Sequence, residues 1–102
     1  RIVNVDIARQ QIEGGLIFGM GLARGAATAF KDGLPAIGSL GMLGLPLLSD
    51  CPEIEVDFID SDADPFDPGE LGAIIAPPAI ANALASAGSE RLRTLPFTGA
   101  AL

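Results

Sequence analysis

The first third of the chain carries apolar positions at the spacing of an α-helix. Asp6 is a candidate N-cap, and the apolar side chains of Ile12 and Leu16 follow on one face. This stretch also contains several glycines, each of which would weaken an isolated helix by about 1 kcal/mol relative to alanine. Gly15 and Gly19 are four residues apart and share a face, so either a neighbouring backbone or a flat cofactor could approach closely there. The pattern leaves both alternatives open.

The middle of the chain predicts extended and irregular backbone. Ala27–Phe30 is typical of a strand that ends at a turn over residues 31–33. Residues 34–48 are apolar but interrupted by glycines, which predicts irregular backbone with at most one short strand. Within Glu53–Asp60, the apolar residues Ile54, Val56 and Phe58 alternate strictly with the acids between them, and this period of two predicts a strand with one buried face.

The last third predicts a second helix followed by a tail. Pro77 and Pro78 suit the first turn of a helix over residues 77–87, and Gly88 is placed to cap its C-terminal end. Residues 91–97 predict a short edge strand or an extended tail. Together the elements predict an α+β fold, with a small mixed sheet and two packed helices that form a segment of a larger domain.

The size, net charge and residue types of the chain disfavour several classes of function. A chain of 102 residues forms at most one domain with a limited core. Its net charge of −7 disfavours binding to nucleic acid or to an anionic membrane surface. The most apolar stretch, residues 14–30, is too short to span a membrane and contains Arg24. The single cysteine, Cys51, cannot form an internal disulfide, and the absence of histidine excludes a Ser-His or Cys-His nucleophile pair within this chain.

Acidic residues concentrate between positions 57 and 70, which invites comparison with a calcium-binding loop. Counting from Asp60, acids occupy the first, third and fifth positions. However, Pro65 occupies the sixth position, which requires glycine, and Leu71 occupies the twelfth, which requires glutamate. The run therefore predicts solvated loop charge, and we assign no metal ligand to it.

Glu70 is the candidate catalytic residue. It lies in the string Gly69-Glu70-Leu71-Gly72. Gly69 directly precedes it and Gly72 follows two residues later, and glycine allows the backbone to approach a ligand closely. Without histidine, general acid or base chemistry within this chain would fall to a carboxylate, Cys51 or Lys31. A solvated loop acid is the alternative interpretation of the same residues.

Four short blocks occur in an order and spacing found in one known family: Gln11-Ile12-Glu13-Gly14-Gly15, the segment 51–59, Gly69-Glu70-Leu71-Gly72 and the segment 91–97. Taken together they resemble the C-terminal end of the molybdopterin-binding subunit of the xanthine dehydrogenase and aldehyde oxidase family, most closely the isoquinoline 1-oxidoreductase beta-subunit type. The resemblance covers nearly the whole chain. It implies that residues 1–102 are a C-terminal fragment of a molybdopterin-binding domain.

The resemblance implies part of a bacterial oxidoreductase that hydroxylates an aldehyde or an N-heterocycle with oxygen from water. Glu70 matches the family's glutamate beside the molybdenum, the base that takes a proton during attack on an electron-poor carbon. Gln11 matches the glutamine that contacts the pterin, and an amide that both donates and accepts suits a pterin edge. The intact enzyme would hold the molybdenum cofactor, molybdopterin, although the fragment alone would bind no cofactor and would be inactive.

The same resemblance implies several partners. The rest of the pocket would come from the remainder of the large subunit. Electrons would leave through iron–sulfur clusters on a small 2Fe–2S subunit, because a chain with one cysteine cannot ligate such a cluster. The fragment itself could form a homo-oligomer, and relatives occur in the bacterial cytoplasm and periplasm.

One departure from the family pattern precedes Glu70. The segment Asp64-Pro65-Phe66-Asp67-Pro68 stands where most relatives have a small or aliphatic residue and often a lysine. Pro68 forces an extended approach to the loop, which affects how Glu70 is aimed. The alternative function is therefore a small acidic, non-catalytic interaction module or a divergent inactive family member.

Overall fold

The computed structural model describes residues 1–97. Within that range two packed helices and one small sheet confirm the α+β class, and the sheet is an antiparallel pair of strands. The elements are helix α1 (Val5–Arg24), strand β1 (Phe30–Lys31), strand β2 (Leu34–Pro35), two short 3-10 helices (Leu40–Met42 and Leu48–Asp50) and helix α2 (Leu71–Ser86).

Helix α1 begins two residues earlier than predicted. Its N-cap is Asn4, whose side-chain Oδ1 accepts a hydrogen bond from the backbone N–H of Ile7 at 2.9 Å. The prediction of Asp6 as N-cap is therefore wrong, because asparagine caps as well as aspartate and lies at the residue before the first helical turn. Asp6 lies in that first turn, where its negative charge interacts favourably with the helix dipole.

A two-residue hairpin joins β1 to β2. Asp32 and Gly33 at its tip have φ of 53° and 79°, and positive φ at both positions is typical of the tight turns that join twisted strands. The turn predicted over residues 31–33 is therefore confirmed. The predicted strand over Ala27–Phe30 is too long at its start, because the N–H of Ala27 donates to the carbonyl of Gly25 at 2.7 Å and holds the chain in a turn.

Helix α2 begins at Leu71, so the prediction that it starts at the two prolines is wrong. Pro77 and Pro78 lie near its middle and have no N–H, which leaves the carbonyls of Ala73 and Ile74 without their usual helical donors. Proline in a helix interior costs about 3 kcal/mol. Packing against α1, in which Pro77 is buried, offsets that cost.

The C-terminal end of α2 is closed as predicted. Gly88, with φ of 99°, donates to the carbonyl of Ala85 at 3.2 Å, and Ser89 donates to the carbonyl of Leu84 at 3.0 Å. These two bonds satisfy helical carbonyls that would otherwise lack donors. Glycine at position 88 permits the left-handed backbone that this arrangement requires.

The two helices run in the same direction and touch through residues without large side chains. Gly15 of α1 lies against Gly72 of α2, and one turn further Gly19 lies against Ala76. A Cβ atom at Gly72 would lie 2.6 Å from the backbone nitrogen of Leu16, so the two backbones are in direct contact there. Of the two alternatives for Gly15 and Gly19, the close approach of a neighbouring backbone is the one observed.

A small core lies near the C-terminal ends of both helices. Ala23, Ala81 and Phe97 are its buried members. The N–H of Phe97 donates to the carbonyl of Ala23 at 2.9 Å, which fastens the tail to α1. Residues 91–97 are therefore the extended tail of the two predicted alternatives and form no strand with the described residues.

The segment Glu53–Asp60 forms no strand with any part of the chain that the structure describes, so that prediction is wrong. The predicted orientation of its side chains is correct. Ile54, Val56 and Phe58 are half-buried, and the residues between them are exposed. The side chains of this segment therefore alternate between half-buried and exposed as they do in a strand, but no described strand pairs with it.

Candidate functional site

Glu70 is the N-cap residue of α2 and lies at the end of a defined turn. The backbone N–H of Gly69 donates to Oδ1 of Asp67 at 2.9 Å, and the N–H of Leu71 donates to the carbonyl of Pro68 at 3.2 Å. The aspartate and proline that distinguish this approach therefore build the turn that orients Glu70. Among residues 1–97 the Glu70 side chain caps no backbone N–H, so both carboxylate oxygens remain available to a ligand.

Gln11 and Glu70 line the same hollow. Its volume is about 910 Å³, and it lies between α1 and α2 on one side of their contact. Because the helices are parallel, the N-terminal end of α2 lies beside the first half of α1, which is why a glutamine in that half faces a carboxylate 59 positions later. The lining residues are Gln10, Gln11, Gly14, Gly15, Phe18, Leu22, Gly69, Glu70, Ala73, Ile74, Pro77, Pro78 and Leu95.

Polar and apolar groups are distributed unevenly along this hollow. Its polar end has the carboxylate of Glu70 and the side-chain amides of Gln10 and Gln11. Further along the helices its lining is apolar and includes Phe18 and Leu22. One end can therefore accept protons and exchange hydrogen bonds with a polar ring edge, and the remainder can hold an apolar body.

Glu70 is exposed to solvent in this chain. Its apolar neighbours Leu71 and Ile74 do not enclose it, since those side chains are 41% and 65% exposed. Ile74 is itself part of the lining of the hollow. Exclusion of water from the carboxylate would require atoms from outside residues 1–97.

Gln10 and Phe18 line the hollow but were not selected from the sequence as site residues. Gln10, Gly14 and Phe18 are spaced four apart, so they form one face of α1 and reach the hollow together with Gln11. This spacing was visible in the sequence. The family resemblance selected Gln11 as a cofactor contact and did not select Gln10, because the first block begins at Gln11.

Among residues 1–97, no group of three or more cysteine, aspartate or glutamate side chains is arranged to hold a metal ion. Cys51 is half-buried, and its thiol donates to the carbonyl of Leu47 with a sulfur–oxygen distance of 3.4 Å.

Within residues 1–97 neither helix is long and apolar enough to cross a membrane.

Curated proteins from two bacteria resemble the chain over almost its whole length. The aldehyde oxidoreductase molybdenum-binding subunit PaoC of Escherichia coli (strain K12) is 37% identical over 107 aligned residues, covering 96% of this chain and 14% of that subunit. The isoquinoline 1-oxidoreductase subunit beta of Brevundimonas diminuta is 29% identical over 96 residues, covering 94% of this chain and 12% of that subunit. The resemblance to the molybdopterin-binding subunit of the xanthine dehydrogenase and aldehyde oxidase family is confirmed.

A third relative is named for a different cofactor. The membrane-bound aldehyde dehydrogenase [pyrroloquinoline-quinone] of Gluconacetobacter polyoxogenes is 32% identical over 95 residues, covering 93% of this chain and 12% of that protein. The chain thus spans 12–14% of the length of these relatives. No family model and no solved structure matches the chain significantly.

Proposed function

We propose that this chain is a C-terminal segment of the large subunit of a molybdenum hydroxylase, an oxidoreductase that hydroxylates an aldehyde or an N-heterocycle with oxygen from water. The similarity to two molybdenum hydroxylase subunits supports this proposal. The observation that carries it is the shared hollow of Gln11 and Glu70, two residues that family resemblance selected independently of geometry. When bound, the molybdenum cofactor supplies the redox chemistry, and this segment supplies one side of the pocket.

In this proposal Glu70 is the catalytic base. Its carboxylate oxygens make no capping bond within the described residues, so they are free to accept a proton as the new carbon–oxygen bond forms. The turn built by Asp67, Pro68 and Gly69 fixes the backbone of Glu70 at the end of α2. The backbone of the base is therefore in position before substrate binds.

Gln11 is the proposed contact to the pterin. The side-chain amides of Gln11 and Gln10 can both donate and accept hydrogen bonds, as a pterin edge requires. Gly14 lies beside them in the hollow, presents no side chain and has open space where a Cβ would lie, so a flat ring system can approach the backbone of α1 there. The residues present therefore fit the cofactor of the family.

This segment does not act alone in the proposal. Glu70 is open to solvent, and a base at this step works best where water is excluded. The remainder of the large subunit would cover it, and a small iron–sulfur subunit would carry the electrons away. The names of the two molybdenum hydroxylase relatives, which are themselves subunits, support such an assembly.

A quinone-dependent aldehyde dehydrogenase is the second candidate. The name of the Gluconacetobacter polyoxogenes relative, which is 32% identical to this chain, favours it. A carboxylate base at Glu70 would also serve an aldehyde dehydrogenase of that kind. The two candidates differ in the bound cofactor.

The test of the catalytic role is Glu70→Gln in the gene product that contains this sequence. The amide keeps the size of the side chain but cannot accept the proton, so we expect kcat to fall by about 10²- to 10⁴-fold with molybdenum content unchanged. The matched control is Glu90→Gln, an exposed glutamate outside the lining of the hollow, which we expect to keep wild-type kcat. A Glu70→Gln enzyme with full activity would reject Glu70 as the base.

A further inference from the structure

The segment Glu53–Asp60 is held against α1 in one orientation. Nη1 of Arg9 donates to the carbonyl oxygen of Val56 at 2.6 Å, and the same guanidinium lies 5.5 Å from the centre of the Phe58 ring. Ile54, Val56 and Phe58 are half-buried on this inner face. The segment therefore has a fixed inner face and a fixed register relative to α1.

Most backbone polar groups of this segment have no protein partner. Within residues 1–97, the bond from Arg9 to Val56 is the one hydrogen bond made to the backbone of residues 53–60. Unpaired N–H and C=O groups along an extended segment form a template for a neighbouring strand. Because the segment is already ordered, a partner strand need not supply the free energy of ordering it.

The bond from Arg9 identifies which edge is open. In a strand the N–H and C=O of one residue point to the same edge, and the next residue points to the opposite edge. Arg9 occupies the edge of Val56, which is also the edge of Ile54 and Phe58. The free edge therefore belongs to Glu53, Glu55, Asp57 and Ile59.

Charge and exposure indicate what pairs with that edge. The outward side chains are three acids, Glu53, Glu55 and Asp57, followed by Ile59, which is 91% exposed. A second copy of this chain would bring like charges opposite one another, which is unfavourable, and the chain has a net charge of −7. A favourable neighbour would have Lys or Arg beside the acids and an apolar residue near Ile59.

The amount of exposed surface indicates where the neighbour comes from. The accessible surface is 7710 Å², against roughly 5,400 Å² for a folded monomer of this mass. The chain also spans only 12–14% of the length of its relatives. Resting on the function proposed above, we propose that residues 53–60 are a strand of a sheet that is completed, on the edge of Glu55 and Asp57, by a strand with basic residues from another segment of the same large subunit.

Hydrogen exchange tests this proposal in the intact gene product that contains this sequence. Exchange is followed by mass spectrometry with electron-transfer fragmentation, and a synthetic peptide of residues 51–64 gives the unprotected rates. We expect the amides of Glu55, Asp57 and Ile59 to exchange at least about 100-fold more slowly than in the peptide. Peptide-like rates at these amides, or protection confined to Ile54, Val56 and Phe58, would overturn the proposal.

Charge reversal tests the nature of the partner strand. The double substitution Glu55→Lys and Asp57→Lys is expected to speed exchange at Ile59 at least about tenfold, because the new lysines would face basic residues. The matched control reverses Asp62 and Asp64, two acids outside the segment, and is expected to leave exchange unchanged. Wild-type rates in the Glu55 and Asp57 variant would reject a basic partner. Protection that disappears on dilution of the wild-type protein would assign the edge to a second copy and would also contradict the proposal.

Discussion

At the scale of residues, the candidate site consists of two side chains that could be selected from the sequence and a hollow between helices that could not. Gln11 and Glu70 could be selected from short sequence blocks because each block has a recognisable order and spacing. Their common hollow could not, because it requires the parallel packing of α1 and α2. That packing depends on glycines whose sequence pattern was equally compatible with contact to a cofactor.

Gly72 is the glycine that permits the closest approach of the two helices. A methyl group there would lie 2.6 Å from the backbone nitrogen of Leu16 and 2.7 Å from the carbonyl oxygen of Ile12, and neither atom can move independently of α1. We expect Gly72→Ala to lower the free energy of unfolding by about 1–3 kcal/mol, measured by denaturant titration.

Gly14→Ala is the matched control for this prediction. Gly14 is also a helical glycine, next to the contact residue Gly15, but no described atom outside its own stretch of helix lies within 4 Å of a Cβ placed there. Alanine also favours the helix by up to about 1 kcal/mol, so we expect unchanged or slightly greater stability. Equal destabilisation by the two substitutions would show that the helices do not meet at Gly72.

At the scale of elements, Arg9 connects α1 to the segment Glu53–Asp60. It combines a charge-assisted hydrogen bond to Val56 with a cation–π contact to Phe58. We expect Arg9→Ala to lower the free energy of unfolding by about 1–3 kcal/mol. Removal of Arg24, whose guanidinium lies 3.9 Å from the carboxylate of Asp50 on the surface, is expected to cost less than about 1 kcal/mol. Thermal unfolding of the two alanine variants checks the difference, and a larger loss from Arg24→Ala would contradict this assignment.

The same segment shows how far the sequence predicts an element. Alternation at Ile54, Val56 and Phe58 correctly predicts which side chains turn inward, because side-chain direction in an extended chain is a local property. Strand pairing is not local, since it requires a second strand. Periodicity within eight residues contains no information about that strand.

The start of α2 could not be located from the sequence for a different reason. Residues 71–76 are apolar or small throughout, so they show no amphipathic period, and Glu70 makes no capping bond that would be typical of a helix start. Pro77 and Pro78 were the strongest local signal, and they predicted a helix start six residues too late. Contact between Gly19 and Ala76 maintains the helix through the prolines.

At the scale of the whole molecule, the chain buries few large side chains. Its radius of gyration is 16.1 Å, against about 13 Å for a compact domain of this length. Large apolar side chains, among them Phe18 at 59% and Phe66 at 80%, are exposed. Surfaces of this kind are usually interaction sites, so the remainder of the large subunit is the cover that we propose for them.

The cofactor content of the intact gene product tests the account most directly. A molybdenum hydroxylase and a quinone-dependent dehydrogenase both fit an aldehyde substrate, but they differ in metal and in organic cofactor. Elemental analysis of the purified enzyme, together with extraction of its organic cofactor, separates them. We expect molybdenum and a pterin in stoichiometric amounts, with less of both in a Gln11→Ala variant. Pyrroloquinoline quinone without molybdenum would contradict it.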